Sequence, residues 1–311
     1  MISVLIPFHN EKENLPVLIP LLIGVLKKLK QPFEVILIDD GSTDNSLSVI
    51  PKNDYLIVVR HRRRRGKGKA LTTGFKASQG DILLFMDADL QDDPADIPLF
   101  FSKMKEGYDL VNGWRKERKD SVGKTFPSKI FNFFLLRLLL RSPFHDINCG
   151  FKMMRREILQ EVPLYGDNYR FLPMWAQREG YKTTEVIVQH HPRKYGVSKY
   201  GFWRMFYTII DIITTYFIFG FVEKPLHFFG PIGVLVGLSG FFTLIYLLVE
   251  RLFFNMLLYR RPALQIAVLL VIVGVQIIMT GIIGELIVYI HKKNGLERDA
   301  RITSRENAET R

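Results

Sequence analysis

The sequence predicts an α/β domain followed by two helices that cross a membrane. Apolar runs of strand length alternate with helix-like segments in the first part of the chain, which is typical of a mostly parallel, doubly wound sheet. Clusters of polar residues follow three of these runs, at the positions where such sheets bind ligands. Two long uncharged stretches near the C-terminus have the composition of transmembrane helices.

The strands and helices can be assigned in order along the chain. The apolar runs predicted as strands are residues 2–8, 33–42, 54–61 and 80–91. The helix-like segments between them are residues 12–29, 44–50 and 67–78. The clusters "HNEKE", "DDGSTD" and "DADLQDDP" follow the first, second and fourth strands. Because parallel strands end at the same edge of a sheet, these clusters are expected to form one site.

Composition excludes some classes of protein but does not identify the binding partner. The 311 residues include 43 Lys and Arg and 31 Asp and Glu, a formal net charge of +12. Such a charge suits nucleic acid, anionic lipid or a phosphorylated substrate. The single cysteine, Cys149, excludes an internal disulfide and a multi-cysteine zinc site. The opening "MISVLIPFHNEKEN" has neither a basic segment nor a cleavage site, so no signal peptide is expected.

Carboxylates after the fourth strand are candidate metal ligands. Asp87 and Asp89 stand two residues apart and are followed by Gln91. Oxygen ligands at this spacing suit Mg²⁺ or Mn²⁺, which also bind substrate phosphates. A metal at a diphosphate neutralises charge on a leaving group. A solvated acidic turn is the alternative, and this motif alone leaves it open.

The chain becomes apolar after about Lys224. Residues 228–249 and 263–284 contain no charge, and each run spans about 33 Å as a helix, enough for a bilayer core. A pair of buried helices is the alternative, although soluble helices usually keep a polar face. The predicted boundaries are a membrane segment 226–291 with spans at about 228–249 and 263–287, then a polar cytoplasmic tail at 292–311.

Basic flanks predict the orientation. Strongly basic residues before and after the spans place both termini and the α/β domain in the cytoplasm, in a multi-pass protein of the inner membrane. The connector 250–262 also carries Arg251, Arg260 and Arg261, so the charge rule is not cleanly obeyed.

Residues 201–225 are predicted as an interfacial amphipathic helix and not as a third span. The polar residues on one face of this helix are Arg204, Thr208, Asp211 and Thr215. Asp211 at the bilayer centre would cost about 3 kcal/mol, a cost that a helix lying in the interface avoids. Residues 129–141 have a similar pattern. An ordinary core-facing helix is the alternative for both segments, and for 129–141 it is an equal alternative.

Taken together, the motifs resemble those of family 2 glycosyltransferases. They are "SVLIPFHNEKENL", "ILIDDGSTDNS", "GKGKALTTGF", "GDILLFMDADLQDDP", "GWRKERKD", "DINCGFKMMRRE" and "PRKYGVSKYG". The resemblance covers about residues 1–225 and is closest to the polyprenyl-phosphate type, which includes dolichyl-phosphate mannose synthase and bacterial bactoprenol glucosyltransferases. It implies a GT-A (Rossmann-like) catalytic domain over 1–200 and a hexosyltransferase that uses Mg²⁺ or Mn²⁺. The implied reaction is inverting transfer of one sugar from a nucleotide sugar to undecaprenyl or dolichyl phosphate.

The resemblance also implies roles for single residues. The nucleotide-sugar pocket would be formed by Pro7, His9, Glu11, Ile38, Asp40, Asp87, Ala88, Asp89, Arg193 and Lys199. The metal would be held by Asp87, Asp89 and Gln91. Asp40 would bond the base or ribose, and His9 stands where relatives often have Tyr. The bacterial resemblance favours a UDP-sugar over a GDP-sugar, and relatives that form tetramers make a homo-oligomer possible.

Three residues are catalytic candidates by the same resemblance: Asp89, Arg115 and Asp146. Arg115, Lys124 and Ser128 would bind the lipid phosphate. Donor diphosphate and acceptor phosphate bring several negative charges together, so cations are needed to screen their repulsion. The acceptor is already an anion, so a general base is not required. Asp146 would orient groups or act as a base, and a purely structural role in the "DINCGF" turn is an equal alternative.

The basic run "HRRRRGKGKAL", residues 61–71, resembles the family segment that joins the third strand to a helix beside the donor site. Arg62–Arg65 exceed what the fold requires. They are predicted to face anionic headgroups or the entrance for the lipid phosphate, with a solvated basic loop as an equal alternative. Two membrane spans make nucleic acid an unexpected partner.

Two other functions compete with a single-sugar transferase. A processive polysaccharide synthase would carry a "QxxRW" acceptor motif, which is absent, and would need more than two spans. An inactive lipid-binding scaffold is disfavoured by the intact Asp87, Asp89 and Arg193.

Overall fold

The structure is a computed structural model of the 311-residue chain. It describes residues 1–116, 143–162, 164, 168–192, 214, 216–217, 220–222, 224–254 and 262–309, with side chains as far as 290. The chain divides into two units, Met1–Ile212 and Ile213–Arg311. Several predictions fall outside the described residues: Lys124, Ser128, Arg193, Lys199, Arg260, Arg261, helix 129–141 and most of 201–225.

The first unit is built on a seven-stranded sheet in the order β3-β2-β1-β4-β6-β5-β7. The strands are β1 (Ile2–Phe8), β2 (Phe33–Asp39), β3 (Leu56–Arg60), β4 (Ile82–Phe85), β5 (Leu110–Trp114), β6 (Lys152–Arg155) and β7 (Thr183–Ile187). Strand β6 runs antiparallel to β4 and β5, and the other neighbouring pairs are parallel. The predicted mostly parallel sheet is confirmed, with the antiparallel β6 as an addition.

Helices cover both faces of this sheet. They are α1 (Leu15–Lys28), α2 (Lys67–Ala77), α3 (Ile97–Lys105), α4 (Arg156–Glu161) and α5 (Leu172–Arg178). Alternate residues of β1 enter opposite cores, Val4 on one face and Leu5 on the other. This two-sided burial explains why the strands appear as continuous apolar runs.

The predicted helix at 44–50 is wrong, because only a 3₁₀ turn forms there, Ser46–Val49. Asp44 accepts a hydrogen bond from the amide of Ser46 at 3.0 Å, and Asn45 adopts a left-handed conformation with φ of 62°. Side chains that bond their own backbone compete with helix formation.

Helix α2 packs closely on the sheet at Gly74. A Cβ atom at Gly74 would come within 2.8 Å of Ile38 Cδ1 and 3.0 Å of Leu5 Cδ2. A side chain at this position would have to displace these two core side chains, so glycine favours the close packing of α2 on β1 and β2.

The second unit contains two long helices, α6 (Leu226–Phe254) and α7 (Pro262–Glu309). Leu226–Phe254 and Pro262–Ile290 are long and apolar enough to cross a membrane by length and composition. Many of their large apolar side chains are exposed, such as Leu235 at 71% and Phe253 at 77%. Helix α7 continues to Glu309, so most of the segment predicted as a polar tail is helical.

Glycines let α6 and α7 pack backbone to backbone. A Cβ atom on Gly274 would lie 2.5 Å from the amide nitrogen of Gly237, and one on Gly240 would lie 2.6 Å from the carbonyl oxygen of Ala267. Small residues at helix contacts are typical of membrane-embedded pairs. Glu285 accepts a hydrogen bond from the amide of Leu226 at 3.2 Å and so satisfies a donor at the start of α6.

Candidate active site

The polar clusters after β1 and β2 form one bonded surface. The amide of Asp40 donates to the carbonyl of Phe8 at 2.8 Å, and His9 Nδ1 lies 3.1 Å from the carbonyl oxygen of Asp40. The amide of Glu11 donates to Ser46 Oγ at 3.0 Å. The structure therefore brings together His9, Glu11 and Asp40, which the sequence assigned to one pocket.

Asp40 anchors the start of α2 from a buried position. Its carboxylate accepts hydrogen bonds from the amides of Arg65 and Gly66, both at 2.8 Å, and from His61 Nδ1 at 2.9 Å. Burial would raise the pKa of Asp40, but the hydrogen bonds from His61 and the two amides lower it below its ordinary value. This carboxylate therefore has a clear role in holding the loop that precedes Lys67.

Pro7 and Ile38 face each other across β1 and β2. Pro7 is partly exposed, whereas the side chain of Ile38 is fully buried in the core beneath α2. Ala88 is also buried, at 4% exposure. Ile38 exposes no surface and Ala88 very little, so at either residue the described structure offers a ligand little direct contact.

The acidic turn, residues 87–93, follows β4. Asp87, Asp89 and Gln91 are partly exposed, whereas Leu90 and Asp92 are buried. Leu90 has a left-handed φ of 59°, an uncommon conformation for an apolar residue that reverses the chain here. The amide of Gln91 donates to Asp89 Oδ1 at 3.2 Å and stabilises the turn.

Lys67, at the first position of α2, reaches across to this turn. Its Nζ forms an ion pair with Asp87 Oδ1 and lies 4.8 Å from the centre of the Tyr169 ring. Burial would lower the pKa of Lys67, but the adjacent carboxylate of Asp87 raises it above its ordinary value. Burial raises the pKa of Asp92, and the nearby Asp87 carboxylate acts in the same direction.

The donor atoms of the acidic turn suit a hard divalent cation that shares its ligands with a substrate. No group of three or more His, Cys, Asp or Glu side chains in the described part of the chain could hold a metal ion by itself. Mg²⁺ commonly takes one or two protein carboxylates and completes its shell with water and substrate phosphates. The predicted ligands Asp87, Asp89 and Gln91 all lie on this turn, and Asp87 is also paired with Lys67.

Arg115 and Asp146 form a bidentate ion pair. Arg115 Nε donates to Asp146 Oδ2 at 2.8 Å, and a terminal guanidinium nitrogen donates to Oδ1 at 3.2 Å. Both side chains are largely buried, at 14% and 9% exposure. Burial would lower the pKa of Arg115, but Asp146 raises it. The guanidinium is therefore a permanent positive charge held in one orientation.

The "DINCGF" segment connects this pair to the acidic turn. Four residues after Asp146, a Cβ atom on Gly150 would lie 2.7 Å from Asp87 Oδ2 and 2.9 Å from Lys67 Nζ. Burial raises the pKa of the Cys149 thiol in this segment to about 12, so the thiol stays protonated and is a poor nucleophile.

Sequence reasoning missed the residues that support this segment. Asn112 on β5, Lys152 on β6 and Glu185 on β7 all bond the turn that contains Asp146. Burial lowers the pKa of Lys152 to about 8. The available signal in the sequence is an asparagine inside the apolar strand β5 and a lysine at the start of β6. Lys67 lies within the "GKGK" motif, but the motif alone does not indicate its role.

The residue before the "PRKYGVSK" loop bonds the acidic turn. The amide of His191 donates to the carbonyl of Gln91 at 2.9 Å, and His191 Nε2 lies 2.9 Å from Asp93 Oδ2. Arg193 and Lys199 come later in this loop and lie outside the described residues, as do Lys124 and Ser128. Their assigned roles stay predictions.

Arg62–Arg65 are exposed and form no ion pair with a carboxylate among the residues that the structure describes. Their backbone is held close to the site, since a Cβ atom on Gly41 would lie 2.7 Å from Arg63 and Arg64 backbone atoms. This geometry is compatible with contact to anionic headgroups or lipid phosphate and with a solvated basic loop, so both stay predictions.

The sheet order and the acidic turn at a strand end define a GT-A fold. Mannosyl-3-phosphoglycerate synthase from Rubrobacter xylanophilus matches with a TM-score of 0.56 and 17% identity, over 70% of this chain and 74% of that one. Glucosyl-3-phosphoglycerate synthase from Mycobacterium tuberculosis, solved with Mn²⁺, UDP and phosphoglyceric acid, matches with a TM-score of 0.53 and 22% identity, over 70% and 77%. At these identities the likeness concerns the fold.

Sequence comparison identifies the family. The family model described as "Glycosyl transferase family 2" matches residues 3–163, and the chain belongs to this family. Dodecaprenyl-phosphate galacturonate synthase of Rhizobium johnstonii is 33% identical over 92% of this chain and 87% of its own. Undecaprenyl-phosphate 4-deoxy-4-formamido-L-arabinose transferase of Photorhabdus laumondii is 32% identical over 92% and 88%. The predicted resemblance and the prediction of a glycosyltransferase are confirmed.

Proposed function

We propose that this protein transfers one sugar from a nucleotide sugar to a polyprenyl phosphate, with inversion at the anomeric carbon. The observation that carries the proposal is the extent of the match to the two relatives. At 92% of the chain, the match must include most of both units, the α/β unit as well as the pair of long apolar helices. Both relatives are named for transfer to a polyprenyl phosphate.

The donor is assigned to the edge of the sheet where β1, β2 and β4 end. His9 and Asp40 would face the nucleoside, and Lys67 lies beside Asp87, where the diphosphate is expected. A lysine held by an adjacent carboxylate keeps its charge while its remaining donors stay available to phosphate oxygens. UDP is the preferred nucleotide in this proposal, consistent with the UDP in a solved structure of the same fold.

The metal site of the proposal is the acidic turn. Asp89 and Gln91 would hold Mg²⁺ or Mn²⁺, with Asp87 contributing beside Lys67. When bound, the cation would neutralise the charge that develops on the departing diphosphate.

The reaction joins an acceptor phosphate oxygen to the anomeric carbon, while the bond from that carbon to the donor diphosphate breaks. Arg115 would bind the acceptor phosphate and offset its repulsion from the donor. Both Asp146 oxygens accept hydrogen bonds from Arg115, which makes this carboxylate a poor proton acceptor. We therefore assign Asp146 to orienting Arg115, and the anionic acceptor attacks without a general base.

The membrane is assigned to the second unit. Its two candidate spans would anchor a protein of the inner membrane whose catalytic unit faces the cytoplasm, where nucleotide sugars are available. The exposed Arg62–Arg65 would contact anionic headgroups or the acceptor phosphate. We also propose a homo-oligomer, which a measurement of molar mass in detergent would test.

The test is transfer of labelled sugar into a lipid that partitions into organic solvent. The full chain in detergent is mixed with undecaprenyl phosphate, Mg²⁺ or Mn²⁺, and a panel of UDP- and GDP-sugars. Wild type is expected to make one labelled lipid, and chelation of the metal should abolish the signal. Asp89→Asn should lower the rate by a factor on the order of 10²–10³, as is typical when a charge-stabilising group is lost.

Asp54→Asn is the matched control, because Asp54 is an exposed aspartate on the loop before β3. It should retain wild-type activity. A labelled product longer than one sugar would instead identify a processive synthase. No product from any donor, with nucleotide binding intact, would identify an inactive scaffold and refute the proposal.

A further inference from the structure

Three polar residues form a continuous row across neighbouring strands, here called the polar row: Glu185 on β7, Asn112 on β5 and Lys152 on β6. Asn112 is paired in register with both of the others. Lys152 Nζ donates to Asn112 Oδ1 at 2.6 Å, and Asn112 Nδ2 donates to Glu185 Oε1 at 3.0 Å. Lysine is only a donor and a carboxylate only an acceptor, so this is the amide orientation that satisfies both neighbours.

The Glu185 end of the polar row holds the chain on the N-terminal side of Asp146. Glu185 accepts hydrogen bonds from the amide of His145 at 2.9 Å, from its ring Nδ1 at 2.8 Å, and from the amide of Asp146 at 3.3 Å. Asn112 Nδ2 donates to the carbonyl of Asp146 at 2.9 Å. Both backbone polar groups of Asp146 are therefore bonded to the row.

The Lys152 end holds the chain on the C-terminal side. Its ammonium donates to the carbonyls of Ile147 and Cys149 in addition to Asn112. Lys152 and Asn112 are both fully buried, so these bonds form away from water. Burying a lysine is costly unless its donors are satisfied, and a fully satisfied buried network holds its surroundings rigidly.

We propose that the polar row is a positioning device that holds Asp146, and through it Arg115, in the geometry needed for sugar transfer. The proposal rests on the function proposed above. None of the three side chains is assigned contact with a substrate, so the row should control turnover and leave donor affinity nearly unchanged. A displacement near 1 Å of a reacting or charge-stabilising group can lower a rate by about 10²-fold.

The experiment compares the full chain with three variants in detergent: Lys152→Met, Glu185→Gln and the double variant. Each single variant is expected to lower kcat by about 10- to 100-fold while the donor KM stays within about threefold. The exposed Glu106, which pairs with Lys103 on the surface, supplies the control Glu106→Gln, which should match wild type.

The double variant separates positioning from simple stabilisation. Removing one charge of a buried network leaves the other uncompensated, whereas removing both often restores stability. The double variant should therefore recover much of the lost thermal stability but not the lost kcat. Recovery of kcat per folded molecule together with stability would show that the polar row is only structural.

Hydrogen exchange of the peptide containing residues 145–149 gives a readout that does not depend on activity. Glu185→Gln should speed exchange at His145 and Asp146 by about tenfold, the effect of losing one hydrogen bond of about 1.4 kcal/mol. Unchanged exchange in both single variants would overturn the proposal. If wild type transfers no sugar to any acceptor, the proposed function fails, and exchange still decides whether the row holds the turn.

Discussion

Gly150→Ala should damage the reaction while sparing the fold. Gly150 lies between the Arg115–Asp146 pair and the acidic turn. A Cβ atom at this position would lie 2.7 Å from Asp87 Oδ2, 3.1 Å from Asp87 Cγ and 2.9 Å from Lys67 Nζ. All three atoms belong to the ends of side chains, so they can move without displacing the backbone.

The size of the effect follows from these distances. Ordinary contact begins at 3.4 Å, so the carboxylate oxygen at 2.7 Å would retreat by the difference, about 0.7 Å. That movement would disturb the Lys67–Asp87 ion pair as well as the position of Asp87. A shift approaching 1 Å at a reacting centre costs up to about 10²-fold, so we expect kcat to fall by about 10- to 100-fold. This loss corresponds to about 1.4–2.7 kcal/mol of transition-state stabilisation.

The assay is lipid-linked sugar formation under saturating donor, with thermal unfolding measured on the same preparation. Gly24→Ala is the matched control, because a Cβ atom at Gly24 in α1 meets nothing within 4 Å. It should keep full activity and gain up to about 1 kcal/mol of stability from helix propensity. Wild-type kcat in Gly150→Ala, with unchanged stability, would refute the importance of the Asp87 position. A large loss of stability would show instead that the strain falls on the backbone.

Two further predictions concern stability. Gly274→Ala should destabilise the pair α6 and α7 by about 1–3 kcal/mol in a thermal melt, because its Cβ would lie 2.5 Å from the backbone nitrogen of Gly237. Gly237→Ala should leave the stability nearly unchanged, because a Cβ atom there would meet only Gly274 Cα, at 3.8 Å. Equal losses of stability in the two variants would contradict this packing of α6 on α7. Asp40→Asn should cost about 1–3 kcal/mol at pH 7, because two amides lose a charged acceptor. The pKa of Asp40 is lowered in the folded state, so its contribution is complete above about pH 4 and is lost as the pH falls through that lowered value. The stability gap between wild type and Asp40→Asn should therefore narrow in acid, and a constant gap between pH 7 and pH 3 would contradict this account.

Much of the site could be predicted because its residues follow strand ends directly. Asp40 comes right after β2, and Asp87 comes two residues after β4. In a parallel sheet such positions meet at one edge, so knowing the strands was enough to group these residues. The clusters after β1 and β2 are indeed bonded to each other.

The supporting residues could not be found in this way. Lys152 lies in the same motif as Asp146, but Glu185 is 39 residues away. The row they form depends on β6 inserting antiparallel between β4 and β5. Neither periodicity nor spacing along the chain specifies that insertion. Likewise, the ion pair of Lys67 with Asp87 depends on how closely α2 packs at Gly74.

Local chemistry along the chain was sufficient for the order of strands and helices, the two apolar spans, the family and the acidic turn, because each depends on neighbouring residues or on a regular repeat. Which groups the buried charges pair with could be seen only in the folded structure. Arg115 could have met a phosphate alone, yet it is paired with Asp146 and held by three strands that are distant in sequence. The physical reason is that electrostatic and hydrogen-bonding energies depend on distance in space and on burial. Distance and burial are determined only when the strands have paired and the helices have packed on the sheet.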